Sequence, residues 1–180
     1  MKKFELTTES ITNVAGKKLF RIKALIDFED VKAGELGGYV EKEGNVSQDG
    51  NAWVYDNAWV SGDARVYGNA RVSGDAWVYD NARVYGNAWV SGNARVSGDA
   101  RVCGNADYTL IQGFGTEFRC TTFYRGKNKK IMVNCGCFHG DLEEFKKQVK
   151  ETRNGKVAKE YLMIADLMEY HFASEDSDDE

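Results

Sequence analysis

The sequence predicts a mainly β protein. A regular coil of very short strands stands between a β-rich N-terminal cap and a small C-terminal α+β domain. Three observations predict this. A six-residue unit repeats from Asn51 to Gly104. Glycine occurs 19 times and proline never, and the glycines are spread instead of clustered, which marks a recurring turn and not a linker. The 180 residues are 42% hydrophobic and 29% charged, ordinary values for a globular chain with enough apolar material for a core without disulfides.

Residues 1–44 read as the cap. Lys3–Thr7 and Lys18–Phe28 read as strands on either side of a turn at Ala15-Gly16, and Leu36-Gly37-Gly38-Tyr39-Val40 leads into the first coil. A cap is physically required, because an open coil presents a strand edge that would pair with another chain. The first residues carry no apolar secretory core, and no apolar run approaches 18 residues, so neither export nor membrane insertion is expected. Four cysteines without a secretory signal are expected to be reduced thiols in a bacterial cytoplasm.

The repeat follows in residues 45–110. Valine recurs every six residues from Val54 to Val102, and alanine from Ala52 to Ala106. A period of six excludes a long helix, whose pattern turns every 3.6 residues. Within a unit the order Ala, Trp/Arg, Val, Tyr/Ser alternates, as in a strand with one buried face. Alanine and valine point inward; Trp/Arg and Tyr/Ser point outward. Each unit then ends in Gly-Asn, Gly-Asp or Asp-Asn, residues that tolerate the backbone angles of a corner. The unit at 45–50 is degenerate, with Val46 and Gln48 in the alanine and valine slots, and reads as a capping first coil.

An aliphatic residue followed four places on by a small one, as in Val54 and Ala58, resembles the left-handed parallel β-helix of the hexapeptide-repeat proteins. That resemblance implies three hexads per triangular coil, hence three to four coils here, and residues 18 apart stacked on one face. Trp53, Arg71 and Trp89 then form one outer file. Trp59, Trp77 and Arg95 form a second. Arg65, Arg83 and Arg101, flanked by Tyr67 and Tyr85, form the third. All four tryptophans are expected to face outward. Trp, Tyr and Arg are enriched in binding hot spots, so Trp53, Trp59, Trp77, Trp89, Arg65, Arg83 and Arg101 are candidates for a partner or homo-oligomer interface. Seven aspartates against five arginines in the repeat weigh against phosphate binding there. Many proteins of this family are acyltransferases with a catalytic histidine on the coils, but His139 and His171 both lie outside the repeat. Acyl transfer is therefore the weakest of the functional expectations.

Residues 111–173 form the C-terminal domain. Phe118–Tyr124 and Lys130–Cys135 read as a β-hairpin around Arg125–Asn128. Asp141 with Glu144 makes a helix-capping box, Gly155 ends that helix, and a second helix runs from about Val157 to Phe172. Arg119, Arg125, Lys127, Lys129 and Lys130 are uninterrupted by acids, and with Tyr124 they are candidates for RNA or partner binding by phosphate contact and stacking. Cys135, Cys137 and His139, at alternate positions, would share one face of a strand, with Cys120 opposite; zinc would accept that set, though plain packing is the stronger expectation. If the domain cleaved RNA, His139 would be the acid or base, with Lys129 or Lys130 on the phosphate. No motif requires a cofactor, and none is expected. Residues 174–180, with five acids, read as an acidic disordered tail.

The layout as a whole is similar to proteins of phages, prophages and plasmids of Gram-positive bacteria. The stretch Cys135-Gly-Cys-Phe-His-Gly-Asp-Leu-Glu-Glu-Phe145 resembles the C-terminal domain of some type II-A anti-CRISPR proteins. Certain of those inhibit Cas9 and lead to shortening of its guide RNA. The resemblance implies a mobile-element interaction protein that inhibits Cas9 or its guide-RNA complex. The alternatives are an enzyme that cleaves guide RNA and a structural β-helical oligomer.

Overall fold

A computed structural model describes residues 2–173; the acidic stretch 174–180 lies outside the described residues. Phe4–Thr12 (β1) and Lys18–Ala24 (β2) form an antiparallel hairpin, turned at Gly16 with a φ of +77°. Leu36–Val40 (β3) joins it and starts the solenoid, pairing antiparallel with β2 and in parallel with a repeat strand. Nine two-residue strands follow at intervals of six: Trp53–Val54 (β4), Trp59–Val60 (β5), Arg65–Val66 (β6), Arg71–Val72 (β7), Trp77–Val78 (β8), Arg83–Val84 (β9), Trp89–Val90 (β10), Arg95–Val96 (β11) and Arg101–Val102 (β12).

These strands stack into a parallel β-solenoid of about four turns with three faces. One face is β4-β7-β10 and another is β6-β9-β12. The third, β3-β5-β8-β11, continues into the cap hairpin as a six-stranded sheet. Every repeat valine from Val54 to Val102 and every repeat alanine from Ala52 to Ala100 is fully buried, so the alternation in the sequence does mark the inner face. Corners close with glycine at positive φ, and Asp56 and Asp80 take the same backbone angle at two of them. Each of these aspartates also reaches the next coil: Gly74 N–H donates to Asp56 Oδ2 at 3.0 Å and Gly98 N–H to Asp80 Oδ2 at 3.3 Å.

The first coil corrects the register read from the sequence. Val46 bridges in parallel to Val66, so it fills a valine slot and not an alanine slot. Two extra residues lie between Val46 and Val54. Gln48 leaves the coil, and its Oε1 accepts from Lys3 N at 2.8 Å and Phe4 N at 3.2 Å while Nε2 donates to Phe4 O at 3.1 Å. The insertion thus ties cap to coil. Ala106 falls in the turn Asn105–Asp107 beyond the last coil.

The chemistry of the two solenoid ends is opposite. Each coil donates its N–H groups to the carbonyls of the next, as Trp53 N does to Ala70 O at 3.1 Å. The first coil therefore has spare carbonyls and the last spare N–H groups, which must be paired if buried. Donors meet the first set: Lys3 Nζ reaches Ala52 O at 2.8 Å, and Asn45 Nδ2 reaches Ala64 O at 2.9 Å. Acceptors meet the second: Arg95 N–H donates to Thr122 Oγ1 at 3.0 Å, Trp89 N–H to Asn105 Oδ1 at 2.8 Å and Cys103 N–H to Asp107 Oδ2 at 2.8 Å.

The C-terminal region is a four-stranded antiparallel sheet with two helices. Its strands are Tyr108–Phe114 (β13), Arg119–Arg125 (β14), Ile131–Cys135 (β15) and Phe138–Asp141 (β16), followed by Leu142–Thr152 (α1) and Gly155–Phe172 (α2). The expected hairpin is β14-β15; the outer strands β13 and β16 were not expected. One face of the sheet seals the solenoid, with Tyr124 fully buried against the coil interior and Leu110 and Met132 beside it. The other face, with Phe123 and Val133, packs under Phe145, Val149, Tyr161 and Met168 of the helices. Asp141 and Glu144 exchange the expected capping bonds, at 3.0 and 2.8 Å. Gly155 opens α2 instead of closing α1, which ends with Arg153 in extended backbone. Among the described residues no helix is long and apolar enough to cross a membrane.

Candidate functional site

The outer files stack as expected, but the caps cover much of two of them. Trp53 is fully buried under Phe4 and Phe28, with ring centroids 5.9 and 5.4 Å away. Trp59 is 8% exposed, packed with Leu19 and Tyr39 of the cap and against Trp77, with ring centroids 4.6 Å apart and planes tilted by 31°. The expectation that all four tryptophans face outward is corrected accordingly: Trp53 and Trp59 point away from the coil axis, but into the N-terminal cap. Trp77 is half-buried, with Arg95 over its ring at 4.0 Å. Trp89 alone of the four is well exposed, at 49%. In its file, Arg71 is bound by the cap acids Glu29 and Asp30 at 2.8 and 3.3 Å.

The third file stays open. Arg65, Arg83 and Arg101 are in register across β6, β9 and β12. Beside them Tyr67 and Tyr85 stack face to face, 5.1 Å apart with planes 4° from parallel. Arg65 and Arg83 are exposed and Arg101 is half-buried. None of the three pairs with a carboxylate among the described residues, and Arg101 Nη1 is buried without a hydrogen-bond acceptor. Asp63, the acid preceding Arg65, is held by Lys42 at 2.8 Å; that hydrogen bond is the chief reason its carboxyl titrates below the usual range. A shallow groove runs from Glu43 and Gln48 along Arg65, Tyr67 and Arg83. Three like charges in register on adjacent strands repel one another unless an anion lies across them. Two of the repeat aspartates, Asp56 and Asp80, sit at corners where each accepts a backbone N–H bond from the next coil.

The basic hairpin does not form one surface. Tyr124 is fully buried, its hydroxyl 3.2 Å from Ser97 Oγ, and burial pushes its pKa up to about 12. Arg125 is a structural tie: Nε lies 3.2 Å from Asp107 Oδ1, Nη2 donates to Phe172 O at 2.8 Å, and the guanidinium sits over the Phe172 ring at 5.5 Å. Lys130 pairs with Asp141 at 2.8 Å. Arg119 lies at the far end of β14, about 20 Å from Arg125 along an extended strand. Lys127 and Lys129 remain exposed at the tip.

The cysteines and His139 do not share a face either. Gly136, at a φ of +62°, turns the chain, so Cys135 pairs with Phe138 across a tight hairpin instead of continuing as a strand to His139. Cys135 packs on the helix side, where its Sγ accepts from Thr121 Oγ1 at 3.1 Å. His139 pairs in register with Asn134, whose side chain bonds to the solenoid, and its ring lies against Gly98 of the last coil. Cys120 lies on β14 and Cys137 is exposed at the turn. Among the described residues no group of three or more metal-type ligands converges. His171 lies in the last turn of α2, 4.9 Å from the Phe172 ring. Lys130, expected on the phosphate of an RNA-cleaving site, pairs with Asp141, while Lys147 lines an open groove together with His139.

The coils themselves have known counterparts. Residues 64–80, 76–92 and 88–104 match the YdcK beta solenoid repeat. A 43-residue stretch is 42% identical to a protein of Escherichia coli strain K12 described as an uncharacterized acetyltransferase, YdcK. That stretch is 24% of this chain and 13% of the relative, so the match spans only about an eighth of the relative's length.

Proposed function

We propose that the chain is a binding protein of a mobile genetic element, and that its partner is Cas9 or the Cas9–guide RNA complex. The carrying observation is the open file of Arg65, Arg83 and Arg101 beside the stacked Tyr67 and Tyr85. Guanidinium groups without carboxylate partners among the described residues suit phosphates or acidic side chains, and neighbouring aromatic rings suit bases or planar groups. The resemblance of residues 135–145 to anti-CRISPR proteins supplies the choice of partner. Lys127 and Lys129 add exposed charge on the C-terminal domain. Assembly into a homo-oligomer belongs to the same proposal, with Trp89 as the tryptophan best exposed to take part.

The match over 43 residues to a protein described as an uncharacterized acetyltransferase favours acyl transfer as a second reading. Both histidines, His139 and His171, lie outside the solenoid repeat. One experiment separates the readings: Cas9, guide RNA and target DNA are mixed with the protein, and DNA and guide are run on separate gels. The expected result is blocked DNA cleavage with an intact guide. A shortened guide in this purified mixture would mean that the chain is an enzyme acting on the guide, and loss of shortening in the His139→Ala variant would place the acid or base at that residue. Full DNA cleavage overturns the choice of partner.

A further inference from the structure

The outer face of α2 carries an apolar stripe that the fold does not use. Tyr161, Ile164, Ala165, Met168 and Phe172 turn inward and pack with the sheet and α1. Met163, Leu167 and Tyr170 lie on the opposite side of the helix and are 62, 57 and 83% exposed. Together with Glu160 they are spaced by three, four and three residues, the spacing of a seam between two helices. The acids beside the stripe are already paired. Lys146 of α1 holds Asp166 at 3.0 Å and Glu169 at 2.7 Å, and Lys156 lies 3.5 Å from Glu160. A second helix can approach this face without meeting an uncompensated acid.

We infer that this stripe is a two-fold interface on which α2 of a second copy of the chain packs antiparallel. The occupant follows from self-complementarity. In the antiparallel pair Met163 faces Leu167 of the second copy, and Glu160 faces Tyr170 of the second copy, whose hydroxyl donates to the carboxylate. Both pairs are centred at the level of Ala165 along the helix, so a single two-fold axis makes each of them twice. A parallel pair would set Glu160 against Glu160, a like-charge contact, and would align the two helix dipoles. A seam of this length falls short of the about 1,200 Å² that stable complexes bury, so the dimer is weak, half-associated on the order of 100 µM. The inference rests on the homo-oligomer proposed above and gives it a surface other than Trp89, which stands on β10.

The test is sedimentation equilibrium of the full chain and of the Met163→Lys, Leu167→Glu and Trp89→Ala variants, over concentrations that bracket the expected midpoint. Both helix substitutions replace exposed residues with good helix formers, and unchanged thermal midpoints confirm that the variants fold. The native chain is expected to pass from monomer to dimer. Met163→Lys and Leu167→Glu should each weaken self-association by at least about tenfold, and Trp89→Ala should leave it unchanged. Mixing Met163→Lys with Leu167→Glu should restore a dimer, because the antiparallel register sets the new lysine against the new glutamate and keeps the native Leu167–Met163 contact. In a parallel pair the two charges never meet, so failure of the mixture to associate overturns the antiparallel interface. Self-association that is lost in Trp89→Ala but kept in both helix variants overturns this surface and leaves the homo-oligomer standing. A monomer at every concentration overturns both.

Discussion

Lys3 shows how much a single residue does at an end of the solenoid. It is 2% exposed, and its ammonium donates to carbonyls of Gly50 and Ala52 that have no coil beneath them. Burial lowers its pKa to about 8, against the Asp49 charge that raises it. The unfolded chain keeps Lys3 protonated up to about pH 10.4. Between pH 8 and that value the unfolded state binds more protons, so this group makes stability rise with pH. Denaturant titrations should therefore show the difference between the native chain and Lys3→Met moving in favour of the native chain from pH 8 to pH 10. A constant difference would show that the amine is not desolvated. None of this could be read from Met-Lys-Lys-Phe, because the carbonyls that hold Lys3 lie some fifty residues away and are spare only where the coil ends.

At the level of elements, legibility followed sequence distance. The repeat strands were legible because the signal sits inside each six-residue unit: a buried Ala-x-Val pair and a corner residue. The capping box of α1 was legible for the same reason, within four residues. β16 was missed because Gly136 turns the chain within the Cys-Gly-Cys stretch, which made an alternating run look like one strand. The exposure of Trp53 and Trp59 was misjudged because the residues that cover them belong to the cap. β3 is the critical joint, shared by cap and solenoid. A Cβ on Gly37 would come within 2.6 Å of Val54 O and 2.7 Å of the Trp53 ring. Gly37→Ala should cost about 1–3 kcal/mol through overpacking, read as a lower thermal midpoint. Gly44→Ala is the control, because nothing lies near a Cβ there. Equal midpoints for the two variants would contradict the close packing of cap on coil.

For the whole molecule, the two caps leave one solenoid face for work. The N-terminal hairpin extends one face, and the loop carrying Phe28, Glu29 and Asp30 covers part of another. The C-terminal sheet seals the last coil and turns Tyr124 and Arg125, two residues that look like a binding hairpin in sequence, into packing and ties. The Arg65–Arg83–Arg101 file remains, a surface that the sequence showed as spacing but whose lack of carboxylate partners among the described residues only the fold revealed. The most direct measurement is binding of a fluorescent Cas9–guide RNA complex to the native chain and to the Arg65→Ala, Arg83→Ala, Arg101→Ala triple variant over a range of salt. The expected result is a loss of affinity of at least about tenfold, with the slope of log affinity against log salt smaller by about two and an unchanged thermal midpoint. Equal affinities and equal salt slopes for two folded proteins would contradict the assignment of this face.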